Sequence, residues 1–102
     1  MNLDFKIVGS DICVKLSGEI DEYSARNLRA DIDKLIDAQG FRTMTFDMQG
    51  VTFVDSTGFG LVIGRYKKLR QKRAELLLKN VPPQVDKVFR TSGLYTFVPV
   101  VK

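Results

Sequence analysis

The chain has 102 residues, 44% of them hydrophobic and 27% charged, with a formal net charge of +4, a composition that suits one small globular domain with a single core. It contains no histidine and one cysteine, which excludes Ser-His-Asp and Cys-His catalysis, every histidine-containing or cysteine-only zinc site and any internal disulfide. No uncharged apolar stretch approaches the roughly 20 residues of a membrane span and no basic region followed by an apolar segment opens the chain, so a cytoplasmic protein is expected.

Two short β-type runs come first, FKIVG at residues 5–9 and ICVKLSG at 12–18, and Ser10-Asp11 between them suits a tight turn joining antiparallel strands. Cys13 sits in the alternating run ICVKL and is expected to be a buried strand residue rather than a reactive thiol. From Tyr23 the period changes. Ala25, Leu28, Ile32, Leu35 and Ile36 recur at three- and four-residue steps with charges between them, predicting an amphipathic helix capped by Asp21 or Ser24 and stopped at Gly40. TMTFDM, Thr43 to Met48, reads as a strand, Gln49-Gly50 as a break or bulge, and VTFVD as its continuation to a corner.

A second helix follows that corner and runs to about Lys72. AELLLKN is the next strand, and its unbroken Leu76-Leu77-Leu78 implies burial on both faces. Pro82 and Pro83 start a third helix through Val85, Val88 and Phe89, which ends at Ser92-Gly93, and Tyr95 to Val101 supplies the last strand. The order ββαβαβαβ describes a small α/β domain over residues 1–102, with a mixed, mostly parallel sheet of about four or five strands and flanking helices.

The corner Asp55-Ser56-Thr57-Gly58 is where function is expected, because ligands and partners of open α/β sheets collect at loops after the carboxyl ends of strands. An aspartate or serine there is first of all a helix N-cap. Gly58, Gly60 and Gly64 inside the second helix each disfavour it by roughly 0.5–1 kcal/mol relative to alanine. On a helical wheel Phe59, Val62, Ile63, Tyr66 and Leu69 form the buried stripe, and Thr57, Leu61, Gly64, Arg65 and Lys68 lie opposite, with Gly60 beside them. A leucine and two glycines on an outer face suit a docking surface where another backbone comes close. They equally suit packing against a neighbouring element of the same domain, and composition leaves both open. Arg70 falls near the buried stripe and fits only if its head snorkels outward. The basic run RYKKLRQKR from Arg65 to Arg73 reads as a solvated helix face, since no nucleic-acid-binding motif accompanies it.

Enzymatic readings of the corner fail. DSTG lacks the spacing of G-x-S-x-G, no G-x-x-x-x-G-K-[ST] loop is present, and the Asp-Ser/Thr-Gly of aspartic proteases works as a pair of carboxylates. No catalytic residue, cofactor or metal is expected.

VTFVDSTGFGLVIGRYKK, residues 51–68, closely resembles the signature of the anti-sigma factor antagonists, the STAS-domain proteins, above all the sporulation-type antagonist of anti-sigma F factor. SGEIDEYSA from Ser17 to Ala25 is similar to that family's Gly-Glu-Leu-Asp segment, and VFRTSGLYTFVPV from Val88 resembles its final helix-strand unit. The resemblance spans nearly the whole chain. It implies a protein whose unphosphorylated form binds an anti-sigma factor that is itself a serine kinase, so that the sigma factor is released. It further implies that this kinase phosphorylates the serine matching Ser56, that the phosphorylated form lets go, and that a PP2C-type phosphatase resets the switch. Asp21, Asp55, Ser56, Thr57, Gly58, Gly60, Leu61 and Gly64 are then the expected partner contacts, with Ser56 favoured over Thr57 as acceptor. For Glu19-Ile20-Asp21-Glu22, helix capping competes with a contact to a basic surface on the partner. The chain departs from the family's pattern in carrying DSTG where the sporulation subgroup has DSSG, and in stopping at Lys102, before the further helix usual there. Two other functions stay open: a STAS scaffold subunit of a stress-signalling or transporter-associated assembly, and a nucleotide-binding protein, although no phosphate loop supports the latter.

Overall fold

The computed structural model describes residues 2–38 and 40–101. Strands β1 (Asn2–Val8) and β2 (Asp11–Ile20) form the expected antiparallel hairpin. The turn lies one residue earlier than Ser10-Asp11. Gly9 takes φ +61°, a left-handed conformation that glycine adopts without a Cβ penalty, and Asp11 already pairs with Val8.

Helix α1 (Glu22–Ala38) buries Leu28, Ile32 and Ile36, a stripe at four-residue steps, and stops short of Gly40. Both candidate caps act together at its start: the Asp21 carboxylate accepts from the Ser24 amide (2.9 Å), and the Asp21 amide donates to the Ser24 hydroxyl (3.0 Å). This reciprocal pair satisfies amides that the first helical turn leaves open.

Strand β3 (Thr43–Val54) runs unbroken through Gln49-Gly50. Its parallel register with β2 slips there, from Lys15 opposite Asp47 to Ser17 opposite Gly50, and again between Val51 and Phe53. Of the two readings of Gln49-Gly50, break or bulge, the structure shows the bulge. Gly50 is required in it, since a Cβ would stand 2.8 Å from Ser17 Cβ. Helix α2 (Ser56–Gln71), strand β4 (Glu75–Lys79) and helix α3 (Pro83–Ser92) follow as read from the sequence.

The last segment differs from expectation. Gly93 ends α3 with φ +80°, and Leu94–Thr96 form a 3₁₀ turn, leaving only Val100–Val101 as strand β5. Leu94 and Val98, four residues apart, both enter the core. That spacing belongs to a turn of helix, whereas a strand would send positions an even number apart to one face at twice the length.

The sheet order is β1-β2-β3-β4-β5, with every pair after the hairpin parallel. Right-handed crossovers between successive neighbours put all three helices over one face. That face carries the core: Ile12, Met44 and Leu76 in one register row, Val14, Phe46 and Leu78 in the next. Leu77 is half-buried on the other face, so β4 is less enclosed than its leucine run implies. Cys13 also turns to that open face and is half-buried, because alternation gives Ile12, Val14 and Leu16 the inward positions. Asp47 is 6% exposed there, and its carboxylate accepts from the Gln49 amide (3.1 Å) and the Asn80 side chain (3.2 Å), which offsets the cost of burying it.

Candidate functional site

Parallel pairing of β2 with β3 sets Ile20 opposite Val54, so α1 and α2 begin side by side at the carboxyl edge of the sheet. Asp55 is tied into this corner at several points. Its amide donates to the Ile20 carbonyl (3.2 Å), and its carbonyl accepts from the Gly58 amide (2.9 Å). Its carboxylate accepts from the Thr57 amide (2.8 Å) and from the Thr57 hydroxyl. Asp55 is therefore the N-cap of α2. Ser56, the first helical residue, is exposed, and its hydroxyl has no hydrogen-bond partner among the described residues. Of the two hydroxyls at the corner, Thr57's is engaged and Ser56's is free.

Asp21 lies at the neighbouring corner, one residue after the Ile20 that pairs with Val54, and is held by its cap. The Ser24 amide, first among its hydrogen bonds, lowers its carboxyl below the ordinary value.

The three glycines of α2 have different reasons to be there. At Gly58 a Cβ would fall 1.9 Å from Val54 Cγ2, so the fold itself demands glycine where the helix turns back over its own strand. At Gly60 and Gly64 an added Cβ would meet nothing within 4 Å beyond its chain neighbours and the adjoining backbone of α2. Packing within the domain, the alternative that composition left open, does not account for these two. Gly58 is correspondingly buried, so it shapes the corner from beneath rather than presenting a surface.

Two assignments on the helical wheel are corrected. Leu61, read as part of the outer face, is only 4% exposed, and Arg65 only 7%. The reason is that α1 packs against that side of α2, and a wheel shows one helix without its neighbours. Val62 and Leu69 are fully buried, while Phe59, Ile63 and Tyr66 pack half-buried against the core. Between the helices runs a groove with Thr57, Gly60 and Gly64 on the α2 side and Glu22, Arg26 and Arg29 on the α1 side, with Leu61 in its lining. The two arginines were missed, although their three-residue spacing from one another places them on one face of α1. Nothing in the sequence says that this face meets the glycines.

Three of the six cations in the basic run are engaged by α1. Arg65 Nε lies 2.8 Å from Asp33, Lys68 Nζ 3.0 Å from Asp37 and 3.7 Å from Asp33, and Lys72 Nζ 3.6 Å from Asp37. Burial lowers the Arg65 pKa, and the Asp33 charge opposes that shift. Arg70 is exposed, with its guanidinium donating to the Tyr66 hydroxyl (2.8 Å), the snorkelled position that its place on the wheel required. No described helix is long and apolar enough to cross a membrane.

A family model described as STAS domain matches residues 2–102. The anti-sigma F factor antagonist of Paenibacillus polymyxa is 32% identical over 89 residues, covering 87% of this chain and 76% of the relative. The anti-sigma-B factor antagonist of Bacillus subtilis (strain 168) is 32% identical over 100 residues, 98% of this chain and 90% of the relative. Among solved structures, the anti-sigma factor antagonist SpoIIAA in its unphosphorylated form matches with TM-score 0.84 at 29% identity, over 99% of this chain and 89% of that one. The Bacillus cell fate determinant SpoIIAA in the phosphorylated form matches with TM-score 0.74 at 28% identity, over 99% and 92%.

Proposed function

The chain belongs to the STAS domain family, and from that premise we propose that it is an anti-sigma factor antagonist switched by phosphorylation of Ser56. Unphosphorylated, it binds an anti-sigma factor that is a serine kinase, and the sigma factor is released. Phosphate on Ser56 ends that binding, and a PP2C-type phosphatase restores it. The whole of residues 1–102 acts as the one STAS domain. The observation that carries this reading is the division of labour at the corner: Asp55 caps α2 and engages Thr57, and Ser56 keeps a free, exposed hydroxyl.

The docking surface in this reading comprises Asp21, Asp55, Ser56, Thr57, Gly60 and Gly64, with Gly58 and Leu61 supporting it from below. Bare backbone at Gly60 and Gly64 lets a partner approach α2 closely. The same approach carries the Ser56 oxygen to the γ-phosphorus of ATP held by the kinase. That oxygen forms the new bond in line as the bond to ADP breaks, and its proton passes to the kinase's base. The product carries about −1.5 to −2 charges beside Asp55 on a surface built for close contact, where bulk, hydration and like charge oppose docking.

The test is to incubate the protein with an anti-sigma factor kinase and ATP and to locate the phosphate by mass spectrometry. Ser56→Ala is expected to bind the kinase and accept no phosphate, keeping the sigma factor free. Ser56→Asp is expected to bind weakly and leave the sigma factor captured. Wild-type phosphorylation of Ser56→Ala, or wild-type affinity of Ser56→Asp, would overturn the assignment.

A further inference from the structure

Ser56 borders a hollow between α2 and α3 that is lined by Phe59, Lys87, Val88, Thr91 and Ser92. The polar groups of this hollow are unequal. The hydroxyls of Thr91 and Ser92 donate to the carbonyls of Lys87 (2.8 Å) and Phe89 (3.0 Å), so their protons are taken. Arg90, the next cation of α3, pairs with Asp86 (3.2 Å) and lies over the Tyr95 ring. Lys87 is exposed and forms no ion pair among the described residues. It is the cation that α3 leaves free, and it lines the same hollow as the free hydroxyl.

A phosphate on Ser56 would meet an unusual electrostatic setting for the start of a helix. The cap is already filled by a carboxylate, with the Thr57 amide given to Asp55. On that side the phosphate therefore finds negative charge where a helix N-terminus ordinarily offers free amides. Asp21 and Glu22 at the start of α1 add to it from the adjacent corner. Arg26 and Arg29 of α1 line the separate groove on the Thr57 side, which Ser56 does not line; within the hollow that Ser56 borders, Lys87 from α3 is the opposing charge and the rest of the lining is uncharged. We infer that Lys87 is the counter-charge for phosphoserine at position 56, holding the phosphate on the α3 side of the corner, over Phe59 and Val88 and away from Asp55. This inference rests on the reading of Ser56 as the phosphate acceptor. It assigns a part in the switch to a residue outside the expected contact set, acting only after the modification is made.

Phosphoserine is installed at position 56 during synthesis, in the wild-type chain and in Lys87→Met, and its second ionisation is followed by phosphorus NMR at low salt. Unperturbed phosphoserine ionises near pH ~6. Lys87 favours the dianion, and Asp55, Asp21 and Glu22 disfavour it. Lys87→Met is therefore expected to raise the midpoint by about half a unit, Lys87→Arg to restore it, and added salt to narrow the gap. Lys34→Met, on the exposed surface of α1, is expected to leave the midpoint unchanged. Coincident curves for wild type and Lys87→Met, or an equal shift from Lys34→Met, overturn the inference whatever a kinase does to Ser56. A kinase that leaves Ser56 unmodified overturns the reading beneath it, even when the two curves lie apart.

Discussion

Towards its C-terminal end, α2 is tied to α1 by charge: Arg65, Lys68 and the capping residue Lys72 reach Asp33 and Asp37, while Lys67 and Arg70 stay exposed. The N-terminal half, Ser56 to Gly64, leaves groups idle. Its serine has no partner among the described residues, and two of its glycines have open space above them. By sequence alone the basic half is the more conspicuous. Physically it is the less informative for function, because charges that neutralise one another within a fold are explained by that fold. A helix residue that weakens the helix and serves no internal contact calls for another explanation.

The contrast presupposes that α2 is seated as one body on the sheet. Val62, fully buried at its centre, tests this most severely. Val62→Asp puts an unpaired carboxylate into the core and is expected to remove about 3 kcal/mol or more of stability in urea unfolding. A near-wild-type midpoint would show that the helix is seated otherwise.

The glycines sharpen the contrast within the N-terminal half. Gly58→Ala forces Val54 or the helix to move, with an expected loss of about 1–3 kcal/mol. Gly60→Ala and Gly64→Ala, with room for the methyl group, are expected to gain roughly 0.5–1 kcal/mol each. Equal signs at all three positions would remove the distinction between a glycine the fold needs and one it does not. Gly64→Leu extends the test to the partner: the fold is expected to hold while kinase affinity, read by titration, falls.

The smallest effect concerns the charged half. The Lys68 hydrogen bond, first among the causes, lowers the Asp37 carboxyl below its ordinary value of 3.8. A carboxyl depressed in the folded state adds stability that is complete above its unfolded pKa and is lost as pH falls through the folded value. Asp37→Asn is therefore expected to flatten the acid side of the stability profile below about pH 4 and to change little at neutral pH. An unaltered acid limb would mean that Asp37 is not held by these lysines.

Much of this architecture is legible in local pattern. The four-residue recurrence of Leu28, Ile32 and Ile36, the bulge at Gln49-Gly50, the stop at Gly93 and the ββαβαβαβ order each follow from side-chain period or from backbone freedom, which neighbouring residues determine among themselves. Family membership was legible for the same reason, since the corner and its glycines are contiguous in the chain. What contiguous residues could not decide was which side of each element meets another. Leu61 and Arg65 became interior because α1 lies across them, and Cys13 turned outward because β2 presents Ile12 and Val14 to the helices. Whether Asp55 or Ser56 caps α2 likewise depended on the backbone conformation at the end of a paired strand. Lys87 came beside Ser56 only when α3 closed against α2. Period fixes the angle between side chains on one element, but exposure and partnership belong to pairs of elements, and they exist only once the sheet has set the helices side by side.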